Sequence, residues 1–291
     1  MTNLLKTTIL LAALGALFIA IGGAVGGQSG IALAFVLAVV LNLGAYWFSG
    51  DLALRMAGAR EVSRAQAPEL HRLVEELATF ARTPMPRVAV IDSPSANAFA
   101  TGRDANHAVV AVTTGLLGLL SRDELAAVLA HELAHVRNRD ILISSIAATI
   151  AGAITMLANL AQWSMLFGGL GRPQDEQQGG GSGGLISSLL LIVLAPIAAT
   201  VIQLAISRSR EYGADETGAH IHGNPESLAR ALEKLDLASS LRPLPVNPAA
   251  GHLFIVTPLK GLSLAGLFST HPPIAERVRR LRQMQLRLVA A

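Results

Sequence analysis

Between Lys6 and Asp51 the chain carries no charged residue, and two later stretches, 141–171 and 177–207, also run 31 residues each without one. A helix needs about 20 apolar residues to cross roughly 30 Å of hydrocarbon, so each stretch is long enough to span a bilayer. The first divides at "GGAVGGQSG" (22–30) into two apolar blocks of about 18–20 residues. The block behind Lys6 has the look of a secretory signal, but a second block following within a few residues favours a retained helical hairpin. The two later runs are separated by "RPQDE" and the flexible "QQGGGSGG" and form a second hairpin. Composition agrees: 52% of residues are hydrophobic and 15% charged, against about 25% charged in soluble chains, so most of the apolar excess is expected to face lipid.

Sidedness follows from the basic residues. The link at 27–30 has no Lys or Arg and the link at 172–184 has only Arg172, which leaves 22 of the 23 basic residues on the other side. The positive-inside tendency then predicts that both termini and both polar segments face the cytoplasm. The expected organisation is an N-terminal transmembrane hairpin (1–50), a cytoplasmic segment (51–140), a second hairpin (141–207) and a C-terminal cytoplasmic segment (208–291). The fold class expected is a mostly α membrane protein, with four transmembrane helices in two hairpins and a small α+β domain.

Within the polar segments, Pro68 followed by Leu70, Leu73, Val74, Leu77 and Phe80 predicts an amphipathic helix with Phe80 in the core. "RVAVI" (87–91), "NAFAT" (97–101) and "HAVVAVT" (107–113) read as strands. Asn224 and Pro225 start a helix with Leu228, Leu232 and Leu235 on one stripe, and an Arg-rich helix is expected from about 274 to 288. The chain has no cysteine, so any metal must be held by His, Asp or Glu. Its net charge is +3, and no basic run is interleaved with aromatics, which argues against nucleic acid as a partner.

The chemistry is concentrated in "AVLAHELAHVRNRD" (127–140). Ser121 and Glu124 form an S-x-x-E capping box, so a helix starts there. On it His131 and His135 are one turn and about 40° apart, close enough to aim two imidazole nitrogens at one ion. Glu132 sits roughly 100° away, placed to accept a proton from metal-activated water. The apolar lead-in Leu125–Ala130 predicts burial, and burying two unpartnered imidazoles and a carboxylate is costly unless a metal is present. Zinc, one per chain, is the expected ion. No third histidine follows at short spacing, so a distant residue must complete the set. The candidate is Glu211 in "SRSREYGAD" (207–215); Glu211 and Asp215 are again i, i+4, so one can bind metal while the other orients a ligand histidine. Asn97, Ala98, Phe99, Ala100 and Thr101 are candidates for a sheet-edge strand to which extended peptide could add.

With these residues in view the chain resembles the HtpX family of integral-membrane zinc metalloproteases, relatives of the CAAX prenyl protease. The motifs that carry the resemblance are "NAFATG" (97–102), "LAHELAHVRNRD" (129–140), "SRSREYGAD" (207–215) and "THPP" (270–273). The resemblance implies a gluzincin-type zinc-protease domain, with Glu211 as third ligand and Asp215 orienting a ligand histidine. It implies a multi-pass protein of the bacterial inner membrane with its active site facing the cytoplasm. It implies cleavage of unfolded or damaged membrane proteins in quality control and stress response, with other quality-control proteases as partners. His271, in a His-Pro context matching similar proteases, is the implied oxyanion donor, with Arg208 in reserve. Two other readings remain: a prenyl-peptide protease, for which four spans are few, and a non-catalytic scaffold, which would not need Glu132. His220 and His222 are expected to be a solvated pair, and the arginines of the last helix, Arg277 among them, a solvated or headgroup-facing surface. Asn138 shares the stripe of His131 and His135.

Overall fold

The computed structural model of the chain describes residues 50–144, 146, 208–241, 254–255 and 272–289, with scattered helical positions between 12 and 48. The predicted spans lie almost wholly outside the described residues. No described helix is long and apolar enough to cross a membrane.

The frame is a four-stranded sheet of β1 (Ala59–Glu61), β2 (Arg87–Ile91), β3 (Ala98–Thr101) and β4 (Val109–Thr113), in the order β1-β2-β4-β3. β2 and β4 are parallel, with Val88 opposite Val110, while β1 and β3 pair antiparallel at the two edges. Residues 88–91, 98–101 and 109–113 are all buried, because both faces of the sheet are covered. Val88, Val90, Ala98, Ala100, Val110 and Val112 face the main helical core. Ala89, Ile91, Phe99, Val109 and Ala111 face a smaller cluster with Ala53, Leu54, Ala57 and Phe254. This double cover explains the near-continuous apolar reading of "RVAVI" and "HAVVAVT".

The helices are α1 (Pro68–Ala81), α2 (Thr114–Leu119), α3 (Arg122–Arg137), α4 (Arg208–His222), α5 (Pro225–Leu241) and α6 (Ile274–Val289). Pro68 opens α1, and its buried stripe is Leu70, Leu73, Val74, Leu77, Ala78 and Ala81. Phe80, expected in the core, is 70% exposed. It lies about 80° off the Leu70 direction, at the rim of the stripe, and Ala78 and Ala81 fill the last turn in its place. β1 has no counterpart in the sequence reading, since Ala59, Arg60 and Glu61 show no apolar alternation.

Helix α3 is buried on nearly every side, from Ala126 through Ala134. Its start is fixed by the capping box: Ser121 Oγ accepts from the Glu124 N–H, and the Glu124 carboxylate accepts from the Ser121 N–H at 2.9 Å. Lys234 of α5 reaches the same carboxylate at 2.7 Å, tying the C-terminal half to the start of α3. His222, expected in solvent, instead lies 3.2 Å from Asp123 in the first turn of α3, where the helix end of α4 meets it; His220 is exposed.

Burial opposes the Glu124 charge, but Lys234 and Ser121 outweigh it and hold the carboxyl below its usual range. Such a group stabilises the fold above its unfolded pKa, about 4.3, and ceases to as the pH falls through its lower folded value. Glu124→Gln is expected to cost about 1 kcal/mol at pH 7. Thermal melts in detergent should show the gap from wild type closing as the pH drops below about 4.3.

Candidate metal centre

The site forms where α3 lies against α4. Gly218 of α4 faces the backbone of α3 so closely that a Cβ there would stand 2.8 Å from the Cα and N of His131. This contact, two turns of α4 beyond Glu211, allows the Glu211 carboxylate to reach the imidazoles. His131 Nε2 and His135 Nε2 are 3.2 Å apart, and Glu211 lies 3.8 Å from the first and 3.7 Å from the second. Among the described residues these three make up the group whose ligand atoms all fall within 4.8 Å of one another.

A tetrahedral ion with bonds of about 2.0–2.2 Å needs ligand atoms roughly 3.3 Å apart, so the three fit one small cation. The imidazole chemistry fits as well. Nδ1 of His131 lies 3.0 Å from Asp215, and Nδ1 of His135 lies 3.0 Å from Asp140. With Nδ1 turned to a carboxylate, Nε2 of each ring presents its lone pair. Two lone pairs at 3.2 Å repel unless a cation or a proton stands between them. His131 and Glu211 are buried, while the His135 side chain keeps 18% of its surface exposed, which leaves an approach from solvent.

Glu132 points beside this group and is 2% exposed. Burial pushes its carboxyl above the ordinary range; His131 and His135 pull the other way, Glu211 adds to the rise, and the backbone N–H of Ala100 opposes it. Burial also disfavours charge on His135, yet Asp140, Glu211 and Glu132 outweigh it and push the imidazole up to about 10.

The contact with Ala100 links the centre to the sheet edge. Asn97 C=O accepts from the Thr113 N–H, so residues 97, 99 and 101 bond to β4 while Ala98 and Ala100 present their backbone groups outward. Asn97 anchors the strand: it is buried, its N–H meets Thr113 Oγ1 at 2.9 Å, and its side chain accepts from the Ala98 N–H. Phe99 and Thr101 are also fully buried. The edge is partly taken, since the Ile255 N–H donates to Ala98 C=O at 3.0 Å and Phe254 packs edge-on against Phe99. The segment around Ala100 is the part that adjoins Glu132.

Two members of the site were missed from sequence. Arg277 of α6, read as surface, is 0% exposed and grips Asp215 with two bonds of 2.7 and 2.9 Å; it also stands 3.6 Å from Glu211. Burial disfavours its charge, but Asp215, Glu211 and Glu132 hold the guanidinium ionised. In turn burial would raise Asp215, and Arg277 and His131 lower it below the usual range. A signal was present: Arg277 falls on the stripe of Ile274, Val278 and Leu281, a core position occupied by a charge. The other missed residue is Asp140, five positions beyond His135. Asn138 is the C-cap of α3. His271 lies outside the described residues, as does the side chain of Arg208.

A helix-borne His-Glu-x-x-His pair completed by a glutamate from a second helix, beside an edge strand, defines a metallopeptidase. The chain belongs to peptidase family M48, whose family model matches residues 64–285. It is 59% identical to the "Protease HtpX homolog" of Syntrophobacter fumaroxidans over 280 residues, covering 96% of this chain and 98% of that one. It is 56% identical to the homologue in Thermodesulfovibrio yellowstonii (97% and 99% covered) and 52% identical to that in Pyrococcus furiosus (97% and 96%). The fold is similar to the crystal structure of S. mikatae Ste24p, with a TM-score of 0.50 and 22% identity; the match covers 96% of this chain and 65% of that longer one.

The crossing at Gly218 yields a direct test. Gly218→Leu replaces none of His131, His135 and Glu211 but pushes α4, with Glu211, away from α3, and is expected to weaken metal binding by at least about tenfold in a chelator competition assay.

Proposed function

We propose that the chain is a zinc-dependent endopeptidase of the bacterial inner membrane that cleaves misfolded or damaged membrane proteins on the cytoplasmic side. The observation that supports this most is the placement of Glu132 between the His131/His135/Glu211 group and the Ala100 N–H of an edge strand. A structural metal site has no need of that carboxylate. When bound, the ion supplies Lewis acidity toward the scissile carbonyl and the attacking water. Glu132 accepts the proton of that water and returns it to the leaving amine, a transfer for which a carboxyl raised by burial is suited. His131, His135 and Glu211 hold the ion, and Asp215 fixes the His131 ring. The backbone of β3 near Ala100 aligns an extended peptide, so recognition runs through main-chain bonds and tolerates many sequences. His271 is the proposed oxyanion donor.

The membrane setting is supported by the charge-free runs and by the distribution of basic residues. Unfolded membrane proteins, which expose extended apolar chain at the bilayer surface, are the substrate class that suits a sequence-tolerant edge placed there. A stress-linked role in quality control, alongside other membrane proteases, follows from the HtpX resemblance.

Purified full-length protein in detergent is expected to hydrolyse casein, to lose activity to chelator and to regain it with Zn2+. Glu132→Gln should keep its metal and lose at least about a hundredfold in rate. Full metal loading with no hydrolysis by wild type would replace this reading with the scaffold. Orientation can be read separately, because the chain lacks cysteine. Ser182→Cys should react with a membrane-impermeant maleimide from outside the cell and Glu216→Cys only after lysis; labelling of both from one side would overturn the topology.

A further inference from the structure

His131 is held by Asp215 and Arg277 from two other helices, whereas His135 is braced from beyond the end of its own. After Asn138 the chain turns through Arg139, whose φ of 59° is left-handed in a residue with a Cβ. That turn brings Asp140 back: its N–H donates to His135 C=O at 3.2 Å and its Oδ2 lies 3.0 Å from His135 Nδ1. With the Arg139 N–H bonded to Val136 C=O, this is a Schellman-type helix end, and it sets the Asp140 carboxylate against the His135 ring.

Asp140 is 3% exposed, and its second oxygen, Oδ1, is buried without a hydrogen bond. One residue before Glu211 stands Arg210, whose Nε, Nη1 and Nη2 are all buried and also make no hydrogen bond. The charges acting on Arg210 are those of Asp140 and Glu211. A buried carboxylate oxygen and a buried guanidinium without hydrogen bonds are each costly, and the cost falls when each lies in the field of the opposite charge.

We propose that Asp140 is a positioning residue for His135 and that Arg210 is its counter-charge, the two doing for His135 what Asp215 and Arg277 do for His131. Asp140 accepts from Nδ1–H, fixes the tautomer and leaves the Nε2 lone pair aimed at the ion. Arg210 balances the Asp140 carboxylate and so helps to keep it against the His135 ring. This inference rests on the metallopeptidase reading, with His131, His135 and Glu211 as ligands.

The test measures Zn2+ affinity of the purified full-length protein by competition with a chromogenic chelator, together with melting of the metal-free form. Asp140→Ala is expected to weaken binding by about 10–100-fold. Arg210→Ala should weaken it several-fold, and the double variant should bind no worse than Asp140→Ala alone, because Arg210 acts through Asp140. Cobalt-loaded Asp140→Ala should show a shifted visible absorption band, which a merely structural role would leave unchanged. Asp140→Asn retains an acceptor for Nδ1–H without charge, covers the case in which the alanine variant fails to fold, and should be indifferent to Arg210→Ala. Zinc affinity of Asp140→Ala within twofold of wild type would overturn the inference, as would an Arg210→Ala effect undiminished in the Asp140→Asn background. Wild-type protein that binds no zinc would overturn the underlying reading as well, whereas tight wild-type binding indifferent to Asp140 would sink this inference alone.

Discussion

The bare backbone contact between Gly218 and His131 is the constraint on which the centre depends. Helix axes held apart by ordinary side chains sit about 8–10 Å from one another. Here α4 comes close enough that even a methyl group would collide with the backbone of α3. Glu211, a shorter reach than an arginine or lysine, can meet Nε2 of both histidines only because of that approach. The same crossing sets Asp215, one turn beyond Glu211 on the same face, against Nδ1 of His131. One glycine therefore fixes both the approach of Glu211 to the two imidazoles and that of Asp215 to His131.

Charge completes the argument that geometry begins. Glu132, Asp140, Glu211 and Asp215 are all buried around the centre, and the arginines among them are Arg277 and Arg210. With neutral imidazoles these groups leave two negative charges in excess, which a divalent cation neutralises. Burial lifts Glu132 above its ordinary range, while Asp140, Glu211 and Glu132 outweigh burial and push His135 up to about 10. Protons and metal ion thus occupy the same electrostatic role, and binding one releases the other.

Much of this was legible in the chain itself, for reasons tied to particular residues. The start of α3 was readable because Ser121 and Glu124 satisfy a local geometric rule, and the convergence of His131 and His135 because one helical turn dictates it. Glu211 required the harder inference that two segments interrupted by 67 residues return to the same place; the shared i, i+4 acidic pair made it accessible. Phe80 misled because a rim position and a core position differ by less than a quarter turn. His222 and Arg277 were misread for a different reason: their burial is imposed by other helices, α3 on one and α4 on the other, and no local pattern records a tertiary partner. β1, three residues held by pairing with β2 alone, has no sequence signature to read.

The sheet edge carries the last step. Both faces of the sheet are packed, and of its two edges β3 is the one beside Glu132, with the backbone groups of Ala98 and Ala100 turned outward. Ile255 holds the Ala98 end, and Arg277, which anchors Asp215, also donates to the carbonyl of Ile255 at 3.3 Å. The Ala100 end is the one that adjoins Glu132. Through Arg277 the carboxylate beside His131 and the segment that covers the Ala98 end of β3 are joined by one side chain, so the orientation of His131 and the extent of the open edge belong to a common network.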